Sequence, residues 1–239
     1  MEVCEHSMDE WLAGGNMMTE RGVLWDMDGV LVDTGEFHFE TWLQVLSEYR
    51  VHFSREIFKD IFGMNNFDIL SHLLGEPPTP EQVDEIAGRK EEAFRQAIRG
   101  RMMPMPGVVQ WLKRLSAWGV RQAIASSAPS VNIDILVDEL GVRNRFDAIV
   151  SGNDLPGKPD PAVFLEAARR IGILPEKCVV IEDSVAGVEA AKRGGMKCIA
   201  VTTTSPAIGL SSADLVVDRL DSLYPEEFKR LLSSTEPRR

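Results

Sequence analysis

Long apolar runs are missing from this 239-residue chain, and so is any excess of positive charge. No stretch approaches the ~20 apolar residues of a membrane-spanning helix, so no span is expected. Lysine and arginine number 26 against 37 aspartates and glutamates, a formal net charge of −11. A broad nucleic-acid footprint would be basic, so nucleic acid is not an expected partner. A small anionic substrate stays open, because one site can be locally positive. Cysteine is scarce: Cys4, Cys178 and Cys198 are few and odd in number, which reads as reduced thiols rather than disulfides or a metal site. The first residues, MEVCEHSMDEWLAGG, carry acids and lack the basic and then apolar pattern of a signal peptide, so the expected location is the cytoplasm. Repeats and low-complexity tracts are absent too. What remains is a globular composition, 44% apolar. The length suits one large domain or two unequal ones, with a monomer as the default.

Short apolar runs recur along the chain. Gly22 to Trp25 stops at Asp26; Val120 to Ala125, Ala148 to Val150, Cys178 to Ile181, Lys197 to Val201 and the weaker Leu215 to Val217 follow. Their length favours strands. Helical periods lie between them at Gly107 to Trp118, Ile133 to Leu140, Ala162 to Ile171 and Val185 to Arg193. Alternating strands and helices predict an α/β fold with a doubly wound, Rossmann-like parallel sheet. Gly119, Gly141, Gly172 and the Gly194-Gly195 pair each follow a helical stretch, where a left-handed terminal residue is wanted.

Between about Gly35 and Arg101 helical pattern continues without strands, over Phe39 to Tyr49, Phe67 to Leu74 and Pro80 to Ile98. In EQVDEIAGRKEEAFRQ, acids and bases at helical spacing suit an exposed helix with intrahelical pairs. The expected organisation is a leader over 1–20, a core from 21–34 and 102–239, and an inserted α-helical cap over 35–101. Two chain crossings close together make a natural hinge.

In parallel sheets ligands bind beyond the carboxyl ends of the strands. The first strand ends in Asp26 and Asp28, the second in Ser126 and Ser127, and the fourth in Glu182 and Asp183; Lys158 follows the third in a Gly-Lys-Pro turn. Crowded carboxylates repel unless a cation neutralises them, and an all-oxygen set suits Mg²⁺. A phosphate could then approach Asp26, held by Lys158 and the Ser126 hydroxyl. A carboxylate is a competent nucleophile toward phosphorus. Asp28, two residues on, can serve as acid and then base. Each piece has a plainer reading: Asp-x-Asp as a turn, Ser-Ser as a helix cap, Gly-Lys-Pro as a turn. Their order at successive strand ends is what singles them out.

WDMDGVLVDT, IASSA, GKPDP and VIEDSVAGVEAAKRGG resemble, in order, the four motifs of the haloacid dehalogenase superfamily, over Gly22 to about Asp218. Within it the chain is most similar to the β-phosphoglucomutases and sugar-phosphate phosphatases. The resemblance implies a mobile helical cap, Asp26 as nucleophile, Asp28 as acid/base, and Ser126 and Lys158 on the transferring phosphate. It also implies Mg²⁺ held by Asp26, the Asp28 carbonyl and Asp183, with Glu182 alongside. On the substrate side it adds Ser127, Thr34, His38 and Lys90, the last two coupling closure to catalysis. One position departs: where the mutases carry a cap arginine for a second phosphate, this chain has Asn66, with no lysine or arginine between Lys59 and Arg89. An amide is a poor substitute for a guanidinium there. The expectation is therefore hydrolysis of a small, sugar-like phosphate ester through an aspartyl phosphate, with sugar phosphomutation as the alternative. Asp28 argues against dehalogenation, and the late position of the acidic pair argues against a phospho-accepting receiver module.

Overall fold

The computed structural model describes residues 20–233, so the expected leader, except Glu20, and Cys4 lie outside the described residues. Six parallel strands form one sheet in the order β3-β2-β1-β4-β5-β6. They are β1 (Gly22–Trp25), β2 (Arg121–Ser126), β3 (Ala148–Ser151), β4 (Cys178–Glu182), β5 (Lys197–Val201) and β6 (Leu215–Val217). This is the doubly wound α/β fold that alternation predicted. Residues alternate between faces. Val23 and Trp25 of β1 join one apolar cluster with Trp111, Leu115, Leu136 and Phe228. Leu24 joins another with Phe164, Ala167 and Val188. Central strands covered on both faces read as continuous apolar runs, which is why the sequence showed runs rather than alternation.

Helices before the second strand are α1 (Gly35–Glu48), α2 (Arg55–Ile61), α3 (Asn66–Leu74) and α4 (Gly88–Ile98), the last preceded by an α turn (Pro80–Gln82) and a π-helical turn (Val83–Ala87). A fifth, α5 (Val108–Ala117), leads directly into that strand, and after it come α6 (Ser130–Glu139), α7 (Ala162–Ile171), α8 (Val185–Arg193) and α9 (Pro225–Ser233). The helical segment has its own apolar cluster, with Phe39, Trp42, Leu46, Phe53, Ile61 and Leu70 at its heart. Phe94 and Ile98 of α4 instead enter the cluster on the sheet.

Two expectations change here. The face of α4 carrying Lys90 and Glu91 is buried, not solvated; Lys90, Glu91, Phe94 and Ile98 form one inward stripe. The exposed arginine Arg89 pairs with Glu48 of α1 rather than within its helix, although Arg95–Glu92 is an intrahelical pair. The reason is the neighbouring helix: α1 supplies Trp42 and His38, which cover that stripe. Cys178 and Cys198 are buried free thiols, as expected.

Candidate active site

The strand order reverses at β1 and β4, which pair in register Trp25↔Ile181. Such a switch point opens a crevice at the carboxyl ends of the strands. The Asp26 N–H donates to the Ile181 carbonyl at 3.0 Å, so Asp26 extends β1 beside Glu182 and Asp183. Carboxylate oxygens of Asp26, Glu182 and Asp183 lie within 4.8 Å of one another, and all three residues are buried. β3 is an edge strand two places from β1, yet its loop returns Lys158 to the centre. The Lys158 ammonium donates to Asp26 Oδ1 at 2.5 Å and to Glu182 Oε1 at 2.6 Å.

Glu182 is held from the other side as well. Its Oε2 accepts the Asp183 N–H at 2.7 Å, the Ser184 N–H at 2.8 Å and the Ser184 hydroxyl at 3.0 Å. Ser184 also caps α8 through the Gly187 N–H. Any side chain at Gly187 would collide with the Glu182 carboxylate, so the first turn of the helix approaches it only as glycine. Gly29, at φ +80°, likewise leaves room for Asp183 in the turn after β1. The Thr204 hydroxyl, beyond β5, donates to Asp183.

Three buried carboxylates against one ammonium leave negative charge uncompensated. Burial pushes the Asp26 carboxyl up; Lys158 pulls it down and Glu182 and Asp28 push it further, to about 8. Burial and the charges of Glu182 and Asp26 hold Asp183 well above the carboxylate range. Lys158 is raised, because Asp26 and Glu182 outweigh the cost of its burial. A divalent cation among these oxygens would relieve that repulsion, and the donor set fits a hard ion such as Mg²⁺.

Asp28 belongs to a second group. Its Oδ1 accepts the Thr34 hydroxyl and lies 3.4 Å from His38 Nε2. Lys90 Nζ is 2.8 Å from His38 Nδ1 and donates to Glu91 Oε1 at 2.9 Å. An ammonium has no lone pair, so Nδ1 must accept and Nε2 carries the proton toward Asp28. His38 lies flat on Phe94 at 4.0 Å, which fixes its ring. Burial pushes Asp28 up, but His38, Thr34 and Lys90 outweigh it and hold the carboxyl below its ordinary value.

Both groups meet at one cavity of about 50 Å³, lined by Asp26, Asp28, His38, Asn66, Lys90, Glu91 and Ser127 and walled by Trp42, Phe58 and Phe62. The structure thus brings six of the candidate residues to one space. Thr34, Lys158, Glu182 and Asp183 stand behind it, tied to Asp28 and Asp26. Ser126 is buried at the end of β2, and its Oγ accepts the Ala128 N–H at 3.1 Å. Asn66 opens α3, after the capping residue Asn65. Sequence reading passed over Glu91, Asn132 and Thr204. Thr204 was within reach, since it follows a strand end like the others; Glu91 looked like any solvated acid.

A parallel sheet with acidic strand ends at its switch point and a buried lysine between them defines an enzyme that handles phosphate esters. A sequence profile for haloacid dehalogenase-like hydrolases matches residues 23–201, and the chain belongs to that family. It is 32% identical over 213 residues to the chloroplastic 5-amino-6-(5-phospho-D-ribitylamino)uracil phosphatase of Arabidopsis thaliana, covering 88% of this chain and 57% of that longer protein. To the beta-phosphoglucomutase of Bacillus subtilis it is 31% identical, over 86% of this chain and 92% of the relative. The crystal structure of a beta-phosphoglucomutase from Clostridium difficile superimposes with a TM-score of 0.80 over 89% of this chain and 96% of that one, at 23% identity, a likeness of fold. Among the described residues no helix is long and apolar enough to cross a membrane.

Proposed function

We propose that the protein is a Mg²⁺-dependent phosphatase of a small organic, sugar-like phosphate, acting through an aspartyl phosphate on Asp26. The contact that carries this is Asp26 at 2.5 Å from the Lys158 ammonium, inside a buried acidic cluster at the switch point. Asp26, Asp183 and the Asp28 backbone carbonyl, with Glu182 alongside, would hold Mg²⁺, which would supply charge neutralisation on the transferring group. Both Glu182 oxygens are already engaged, so that carboxylate chiefly fixes Lys158 and the start of α8.

In the first half, an Asp26 oxygen bonds to phosphorus, the bond to the ester oxygen breaks, and protonated Asp28 gives its proton to the leaving alcohol. Lys158 and the hydroxyls of Ser126 and Ser127 hold phosphate oxygens. In the second half, ionised Asp28 takes a proton from water, whose oxygen bonds to phosphorus as the bond to Asp26 breaks. Asp28 thereby regains its proton and the cycle closes. His38, Thr34 and Lys90 hold Asp28 below its ordinary range, so the ionised form that activates water is the resting one and the first half draws on the minor protonated form. The cavity has room for only a few waters, so the helical segment acts as a cap that opens at the two crossings to load substrate. Asp28 and Thr34 on the core side and His38 and Lys90 on the cap side then assemble with closure. A cytoplasmic monomer is part of the same reading.

The second reading is a sugar phosphomutase, favoured by the Bacillus relative. Incubation with Mg²⁺, β-glucose 1-phosphate and a trace of glucose 1,6-bisphosphate separates them. Phosphate release exceeding glucose 6-phosphate formation supports the phosphatase; efficient isomerisation with little phosphate overturns it.

The metal reading has its own pH signature. Asp26 holds a proton up to about pH 8 in the metal-free fold. Mg²⁺ must displace that proton and the one held on Asp183, so its affinity is expected to fall at least ~10-fold per pH unit below 8. The unfolded chain loses the Asp26 proton at the ordinary, lower pH. In the metal-free protein the Asp26 contribution to stability is therefore fully present at low pH and is lost as pH rises through 8. Calorimetric titration of EDTA-treated protein across that range checks the slope, and a pH-independent affinity would contradict it.

A further inference from the structure

Of the three carboxylates lining the cavity, Asp26 and Asp28 carry the reaction and Glu91 does not. Glu91 is 5% exposed. Its Oε1 accepts from Lys90, its Oε2 accepts from Asn132 Nδ2 at 2.5 Å, and the Asn66 side chain hydrogen-bonds to it as well. Asn132 stands on α6, against the sheet, so the carboxylate is anchored from both layers. Burial raises the Glu91 carboxyl, but Lys90, His38 and these hydrogen bonds outweigh it and keep it ionised. Four acceptor positions minus three engaged donors leave one open, and the Asn66 carbonyl adds another acceptor.

The rest of the wall is apolar: Trp42, Phe58, Ile61, Phe62, Met64 and Ile69. The cations near the cavity are committed, Lys158 to Asp26 and Glu182, Lys90 to His38 and Glu91. No arginine lines it. A second phosphate on the substrate would therefore meet an ionised carboxylate and no free positive charge. Hydroxyl or amino groups would meet acceptors, and the carbon skeleton would meet aromatic faces.

We propose that Glu91 and Asn66 form the leaving-group subsite, which accepts hydrogen bonds from a polyhydroxylated or amino-bearing leaving group and rejects a second phosphate. This rests on the phosphomonoester reading of the same site, and the two fail separately. Mg²⁺-dependent phosphate release from p-nitrophenyl phosphate tests that reading alone. The subsite is tested by binding, without turnover, using Mg²⁺-loaded Asp26→Asn protein titrated calorimetrically with glucose 6-phosphate and glucose 1,6-bisphosphate. The monophosphate is expected to bind at least ~10-fold more tightly. Adding Glu91→Gln, which keeps the shape and removes the charge, should cut that preference by ~10-fold or more, chiefly by strengthening bisphosphate binding. Asn132→Ala, which breaks the same contact between layers without changing the charge of the cavity, should leave the preference where it was. Equal or tighter bisphosphate binding by the starting protein would overturn the proposal. So would a preference untouched by Glu91→Gln, or one that Asn132→Ala shifts equally.

Discussion

Asp26→Asn is expected to lower Mg²⁺-dependent phosphate release by roughly 10⁴-fold or more, the order of loss when a covalent nucleophile is removed. The amide oxygen still accepts from Lys158, and the backbone N–H to Ile181 is untouched, so β1 and β4 stay in register. The substitution also removes a buried negative charge beside Glu182 and Asp183. The metal-free variant should therefore melt no lower than the parent near pH 8. Steady-state phosphate release and a melting curve check both halves. Retention of more than a trace of activity in folded protein would remove Asp26 from its role, whatever the metal does.

Lys158→Met is expected to do damage of a different kind. Lys158 is the direct partner of two carboxylates, and all three side chains are under 10% exposed. Removing one member of a buried ion pair strands the others, at a cost of about 3–5 kcal/mol. At about 2–4 °C per kcal/mol for a domain of this size, the metal-free melting temperature should fall by about 6–20 °C. Saturating Mg²⁺ should recover part of that fall, because the cation neutralises the same oxygens. Activity should drop even where the fold is rescued, since in the proposed reaction the ammonium holds the transferring phosphate. A Lys158→Met protein that melts like the parent without metal would mean that the cluster is not strained as described.

These two residues were legible in the sequence because position along a parallel sheet is a physical rule. Asp26 ends a buried apolar run of four residues, and β1 (Gly22–Trp25) has those bounds. Lys158 was found through its turn, although nothing local shows that an edge-strand loop reaches back 132 residues to Asp26. The helix α9 (Pro225–Ser233) went unread although its signals are ordinary: a proline at its start, acids in its first turn and Phe228, Leu231 and Leu232 at helical spacing. The short α2 offers only seven residues, with a Ser54 cap as its one clear mark.

The lining of the cavity was less accessible. Lys90 and Glu91 sit in a run of charges that reads as a solvated face. What buries them is tertiary: the π-helical turn before α4 shifts the helical register, and α1 brings Trp42 and His38 against the result. Neither event has a local sequence signal. Asn66 was a substrate-side candidate because it stands where the mutases carry an arginine. Its contact with Glu91 turns that absence into a positive feature, a neutral and anionic wall where a second phosphate would have to sit.

The most direct measurement traps the covalent intermediate. Asp28→Asn protein removes the base for water attack, a step where such groups contribute roughly 10²–10⁴-fold. p-Nitrophenyl phosphate needs little help from an acid to leave. With that substrate and Mg²⁺, an acid quench followed by peptide mass spectrometry should find one phosphoryl group on the peptide containing Asp26, lost on treatment with hydroxylamine. A burst of nitrophenolate matching the enzyme concentration should accompany it. Turnover of the parent enzyme without any phosphoryl group on Asp26 in the trapped variant, or with the group on another residue, would contradict the account.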